Sequence, residues 1–265
     1  MRQAKESPII QFATKLRNCI ETQEFIDLKE IVKEECSEEI ECFTDKEKFI
    51  KSYYNDEDWY KEKKILASYT NNSVDDFNRL IRNQYWKEKG TSLLRIDGYL
   101  SGDMIRFKEN LKSDSFAQNY AHTLFSNGEE VMIDKVESIT LKQIGLKFWK
   151  CTVIGHSQNE FFRVINPDSI IAYNNLLLKF ANSAKDSRFP YNKLYWQKYF
   201  SLRNAFAKVQ YIFASTIHKL QGSTYDIVHI DLASLLNNNQ MSDDLKYRLA
   251  YVAVTRARKK VKILY

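Results

Sequence analysis

Between residues 215 and 226 the chain reads STIHKLQGSTYD, a run of hydroxyls, an imidazole, an amide and one glycine set between the apolar stretches VQYIFA and IVHIDL. These residue types suit a ligand that bears phosphate. Ser215, Thr216 and His218 can bond phosphate oxygens through hydroxyl and ring N–H groups, Gln221 offers both donor and acceptor, and Gly222 permits close backbone approach. Farther along, VTRAR (254–258) presents Arg256. Its planar, permanently charged guanidinium can hold a terminal phosphate and stabilise charge as a phosphoryl group leaves; an arginine used this way is worth roughly 10³–10⁵ in rate. A third polar loop, YTNN (69–72), contributes Thr70 and Asn71. In an open parallel sheet ligands gather outside the carboxyl ends of strands, so all three loops are expected there, converging on one site.

Each residue also has a plainer reading. TRARKK (255–260) taken alone is a solvated basic helix end, His218 and Thr216 can merely order their loop, and Thr70 and Asn71 can end a strand and start a turn. The aromatic run LYWQKYF and Trp59, Trp86 and Trp149 read as core rather than as platforms for stacking bases. No Ser-His-Asp arrangement and no metal-ligand spacing emerges, so no metal site is assigned.

The elements that must carry these loops alternate. PIIQFATKLRNCI places Ile9, Phe12, Ala13, Leu16, Cys19 and Ile20 on one helical face, with Pro8 in the tolerated first turn. KKILASYT (63–70) reads as a strand, followed by a helix that Ser73 and Asp76 cap. From about Ile96 to Pro167 the period changes to two, and Asn127-Gly128 supplies a hairpin turn; a small antiparallel barrel fits. Helical spacing returns from Asp168 to about Ala207. The rest alternates strand (209–214), motif, strand (227–232), helix (242–254) and strand (261–265). The economical architecture is an α/β protein whose parallel sheet is interrupted by a β-rich insertion.

Composition sets the bounds. With 265 residues the chain can bury a full core in one or two domains. Forty Lys plus Arg against 34 Asp plus Glu leaves a formal charge of +6, which permits a polyanionic partner without demanding one. No run of about 18 apolar residues is present to span a bilayer, and MRQAKESPII lacks the pattern of a secretory signal; the expected location is the cytoplasm. The four cysteines, Cys19, Cys36, Cys42 and Cys151, form no Cys-x-x-Cys pair and are expected as free thiols.

STIHKLQGSTYD resembles motif V, and LAYVAVTRARKKVKILY (249–265) resembles motif VI, of superfamily 1 helicases in the RecD-like branch that includes the Dda-type enzymes of T4-like phages. The order of PIIQFATKLRN, ILASYTNNSVDDFNRLIR, GDMIRF and the aromatic helices is similar as well. The resemblance implies a second RecA-like motor domain (1–95 and 206–265) interrupted by an SH3-like β-barrel with a helical extension (96–205). It implies ATP and Mg²⁺ as cofactors and single-stranded DNA as partner, with movement 5′ to 3′. By that resemblance Arg256 and Arg2 reach the γ-phosphate, Gln221 and Gly222 lie beside the nucleotide, and Thr70, Asn71, Ser215, Thr216 and His218 face DNA. No G-x-x-x-x-G-K-[ST] phosphate loop occurs in the 265 residues. The expectation is therefore a chain inactive alone: a truncated or split helicase, in the phage or its bacterial host, whose partner domain brings the phosphate loop. The alternative is a non-enzymatic module that binds single-stranded nucleic acid or a helicase partner.

Overall fold

A computed structural model describes residues 7–54, 63–90, 98–112, 123–142, 144–155, 160–186 and 192–265. In chain order the elements are α1 (Pro8–Thr22), α2 (Leu28–Glu34), β1 (Ile40–Phe43), α3 (Lys46–Lys51), β2 (Lys64–Ser68) and α4 (Asn71–Glu88). There follow β3 (Met104–Phe107), β4 (Leu111–Lys112), β5 (Thr123–Phe125), β6 (Glu130–Leu141), β7 (Leu146–Val153), β8 (Phe161–Ile165), α5 (Ile170–Lys185), α6 (Asn192–Asn204) and β9 (Val209–Tyr211). The last group is β10 (Ala214–Thr216), a 3-10 turn (Ile217–Leu220), β11 (Tyr225–Asp231), α7 (Ala233–Leu236), α8 (Asp243–Val254) and β12 (Ala257–Leu264). The chain divides into two compact units, 1–93 with 212–265, and 94–211.

The first unit is built on a five-stranded sheet in the order β1-β12-β11-β2-β10, parallel throughout. Its short strands are apolar on both faces, as a sheet covered on both sides requires. One face packs Ile65, Val228, Ile230, Val261 and Ile263 against Ile9, Phe12 and Leu16 of α1, Ile31 and Val32 of α2, and Tyr247 and Ala250 of α8. The other packs Leu66, Ala214 and Leu264 against Phe49 of α3 and Val74, Phe77 and Ile81 of α4. The apolar stripe read in α1 is the buried one: Ile9, Phe12, Ala13 and Leu16. Each fully buried Leu or Phe contributes about 1.5–3 kcal/mol of burial, and α1 earns its place through that stripe rather than through a cap, because the Ser7 side chain makes none.

In the second unit the strand order is β8-β7-β6-β3-β9, with β4 and β5 forming a separate pair. All pairings are antiparallel. The Ala207 N–H donates to the Arg163 carbonyl at 2.7 Å, linking the approach to β9 with β8 at the far side of the sheet. At the centre Phe107 and Phe125 stack at 4.6 Å, and Phe162 meets Phe107 edge-on at 5.2 Å. Trp149 is buried as expected, and it leaves no room at Gly98, where a Cβ would stand 2.9 Å from the indole.

Several local expectations change. Asn127-Gly128 does turn, with Gly128 at φ +85°, but its flanking strands do not pair with each other: β5 joins β4 and β6 joins β3. The single strand read over 209–214 is two, β9 in the antiparallel sheet and β10 in the parallel one. The aromatic helix α6 buries no residue; Phe200 is exposed and lies 5.8 Å from Trp196 in a stacked pair, so the core reading fails there. Trp86 is half-buried, and Trp59 lies outside the described residues. Cys36 and Cys42 form a disulfide rather than free thiols: the turn between α2 and β1 brings their Cα atoms to 6.0 Å, within bonding reach. Cys19 and Cys151 are free, and burial pushes the Cys151 thiol up to about 12, followed by a smaller push from Asp103.

Candidate functional site

At the carboxyl edge of the parallel sheet β2 ends at Ser68, and Ser68 pairs with Thr216 at the end of β10. Thr70 is the cap of α4: its Oγ1 accepts the Ser73 N–H at 3.1 Å and donates to Ser73 Oγ at 2.9 Å. The helix therefore begins at Asn71, and the Ser73–Asp76 cap is displaced; Asp76 pairs with Arg79 at 2.9 Å instead. Thr70 and Asn71 are both exposed. Buried polar bonds hold this edge from behind. Ser68 Oγ donates to Asp231 Oδ2 at 2.7 Å, Asp231 Oδ1 accepts the Ser234 N–H, and Asn78 both accepts from Ala214 N–H at 2.8 Å and donates to its carbonyl at 3.3 Å. Ser215 is fully buried in β10, its Oγ unpaired. It reaches no surface, because its side chain points into the sheet-helix layer while that of Thr216 points away.

Beyond Thr216 the 3-10 turn is pinned by Ile217 and Leu220, which are buried in the main core. Pinning those two leaves His218 and Lys219 exposed between them. The His218 ring lies 6.3 Å from that of Tyr69, at the end of β2. Thr70, Asn71, Thr216 and His218 thus belong to one edge.

Gln221 and Gly222 are exposed. Gly222 adopts φ +90°, a region that disfavours side chains, and a Cβ there would meet nothing within 4 Å. From here the chain enters β11, whose first residue pairs with Ala257, the first of β12. Arg256 sits at that junction, where α8 hands over to β12. Its Nε donates to the Val252 carbonyl at 3.1 Å, Nη2 to Thr255 Oγ1 at 3.0 Å and Nη1 to the Ser223 carbonyl at 3.3 Å; in return the Tyr225 N–H donates to the Arg256 carbonyl at 2.9 Å. Arg256 and the end of the Gly222 loop are therefore brought together.

The three loops do not converge on one end of the sheet. Ile227 pairs with Lys64 while Thr216 pairs with Ser68, so the Arg256–Ser223 junction lies at the amino edge, at the other end of the strands from Thr70. The physical reason is that VTRAR leads into a strand instead of leaving one. TRARKK is likewise the start of β12 and not a helix end. Arg258 pairs with Asp226 through Nε and Nη2; burial pushes that carboxyl up, but the Arg258 bond and charge together with Lys259 hold it below its ordinary value.

Arg2 lies outside the described residues. Among the described residues no cluster of His, Cys, Asp or Glu could hold a metal ion, and no helix is long and apolar enough to cross a membrane. Lys219, Tyr69 and Asn78 join these residues in the structure without having been expected among them. Lys219 was visible as a basic residue inside the motif; Asn78, mid-helix and far from Ala214 in sequence, carried no signal.

Residues 211–264 match the family model of the UvrD-like helicase C-terminal domain. The ATP-dependent DNA helicase Dda of Enterobacteria phage T4 is 27% identical over 214 residues, covering 74% of this chain and 46% of that protein. The resemblance is to a superfamily 1 DNA helicase. Solved helicase structures also align, with low similarity: Pif1 from Candida albicans at 12% identity and a TM-score of 0.39, covering 100% of this chain and 55% of that one. Pif1 from Bacteroides in complex with ADP-AlF3 and ssDNA aligns at 13% identity and a TM-score of 0.41, covering 99% and 50%. The chain spans about half the length of the helicases it matches. The helicase C-terminal match takes in the whole STIHKLQGSTYD loop, Arg256 and all of β12.

Proposed function

We propose that this chain supplies the second RecA-like motor domain of an ATP-dependent 5′–3′ DNA helicase, with the antiparallel unit as an SH3-like barrel and α5 and α6 as its helical extension. The observation that carries the reading is the guanidinium of Arg256 seated on the Ser223 carbonyl, one residue past Gly222. Two further facts support it: the match to the UvrD-like helicase C-terminal domain across this junction, and the bond from Ala207 to Arg163, as a closing barrel would make.

On this reading Arg256 is the arginine finger, with Gln221 and Gly222 lining one side of the nucleotide. The fit is one-sided, since these residues offer a cation and an open backbone but no phosphate loop and no carboxylate pair for Mg²⁺. A first motor domain, in cis or in trans, would provide those, and Arg2 is a second candidate finger. ATP bound between the domains would supply the free energy of phosphoryl transfer. Thr70, Asn71, Thr216 and His218 would grip the backbone of single-stranded DNA at the other edge, through hydroxyl, amide and ring N–H groups.

The separation of the edges makes the test clean. In enzyme reconstituted with a phosphate-loop domain, Arg256→Ala is expected to lower ATP turnover about 10³-fold or more while strand affinity changes less than about twofold. Thr216→Ala with His218→Ala should do the reverse, weakening strand binding. Unchanged turnover in Arg256→Ala overturns the assignment.

A further inference from the structure

On the α3 face of the parallel sheet, away from α8 and the 3-10 turn, is a cavity of about 780 Å³ that the reading above leaves unused. Lys48 and Lys51 of α3 and Lys259, Lys260 and Lys262 of β12 line it, with Glu41 and Asp226 as the acids. The two carboxylates are already shared. Glu41 takes Lys260 at 2.8 Å and Lys262 at 3.5 Å, and Asp226 takes Arg258 and, at 3.6 Å, Lys259. Lys48 and Lys51, exposed on one turn of α3, are left with no carboxylate partner among the described residues.

The excess charge is held in place. Lys262 has a side chain only 12% exposed, and its Nζ donates to the Ser52 carbonyl at 3.0 Å, so this cation cannot swing out into water. A concave wall where ammonium groups outnumber carboxylates carries a positive potential that an anion relieves. Lysines serve phosphate as point charges, where a single flat carboxylate would favour a forked arginine. The volume is in the range of small-molecule sites and exceeds what one phosphate fills.

We infer that the α3–β12 cavity is a binding site for a phosphate-rich anion, either a free oligophosphate or successive phosphates of a nucleic-acid backbone. Its lining does not include Arg256, Gln221 or Gly222, and it does not rest on the helicase reading.

Titration of the 265-residue chain with sodium tripolyphosphate at fixed ionic strength tests this. Saturable binding is expected, weakened about tenfold or more in Lys48→Gln/Lys51→Gln, the loss expected when charge-assisted bonds to phosphate are removed. Binding should change less than about twofold in Lys29→Gln/Lys33→Gln, which removes the same charge from exposed positions on α2. Competition by a short single strand of deoxythymidylates would assign the site to nucleic-acid backbone, and tripolyphosphate binding without competition would assign it to a free oligophosphate. No saturable binding of either probe, or equal losses in the two lysine variants, overturns the inference.

Discussion

At the carboxyl edge of the parallel sheet, Thr70 and Thr216 stand on strand ends tied together by buried side chains, Ser68 to Asp231 and Asn78 to Ala214. At the amino edge, Arg256 and the Gly222 loop are tied by backbone carbonyls and a reciprocal N–H bond from Tyr225, and Gln221 and Gly222 project with open space beside them. Both edges use the same residue vocabulary of hydroxyls, amides and cations. They differ in what holds those groups still. Side-chain ties in a dry interior are expensive to lose and specify one geometry; backbone ties at the surface tolerate replacement of the side chains around them.

The contrast would break first at Asn78. Its amide satisfies both the N–H and the carbonyl of Ala214 in a buried layer, so Asn78→Ala is expected to cost about 2–3 kcal/mol, read by urea unfolding. A cost below about 0.5 kcal/mol would show that the carboxyl edge does not depend on this tie.

His229 sharpens the comparison from mid-sheet. Its ring is fully buried 4.8 Å from Tyr53 and 5.5 Å from Phe49, and neither ring nitrogen has a hydrogen-bond partner among the described residues. Burial first, then the charges of Lys262 and Lys64, push its pKa well below 6.5. The unfolded chain therefore binds the proton more readily than the folded one. Stability from neutral His229 is complete above about pH 6.5 and is lost as pH falls below it, at up to about 1.4 kcal/mol per pH unit. His229→Phe should flatten that slope in unfolding measured from pH 7.5 to 5; an unchanged slope would place the titration elsewhere.

Gly222→Ala isolates the amino edge. With no neighbour for the new Cβ, only the φ of +90° opposes it, and the expected loss is about 1 kcal/mol. A larger loss would mean that the loop is packed rather than open. The smallest effect is expected at Thr70, where alanine removes the cap on α4 for about 0.5–1 kcal/mol and serine restores it. If strand binding falls with Thr70→Ala but is not recovered by serine, the threonine methyl matters beyond the cap.

Much of this arrangement was legible residue by residue. The stripe on α1, the strand at 64–68, the helix over 243–254 and the glycine in STIHKLQGSTYD all announce themselves through short-range periodicity and backbone preference. Less legible were β1 and α3, too short for a period to register, and the splitting of 209–214 between two sheets. The exposure of α6 was hidden as well: an aromatic composition reads as core whether or not a partner surface exists. The Cys36–Cys42 bond escaped because spacing alone says nothing of the turn that brings those residues together.

By itself the sequence determined the vocabulary of the site: which residues can bond phosphate, that Gly222 permits close backbone approach, and that the motif order is helicase-like. Only the tertiary structure decided the grammar. Strand direction sends Arg256 to the amino edge and Thr70 to the carboxyl edge, the pleat buries Ser215 while leaving Thr216 half-buried, and α3 laid over β12 gathers five lysines around one cavity. The reason is that local chemistry is carried by each residue and its near neighbours. Proximity between distant residues is settled by strand register, which no short window of sequence contains.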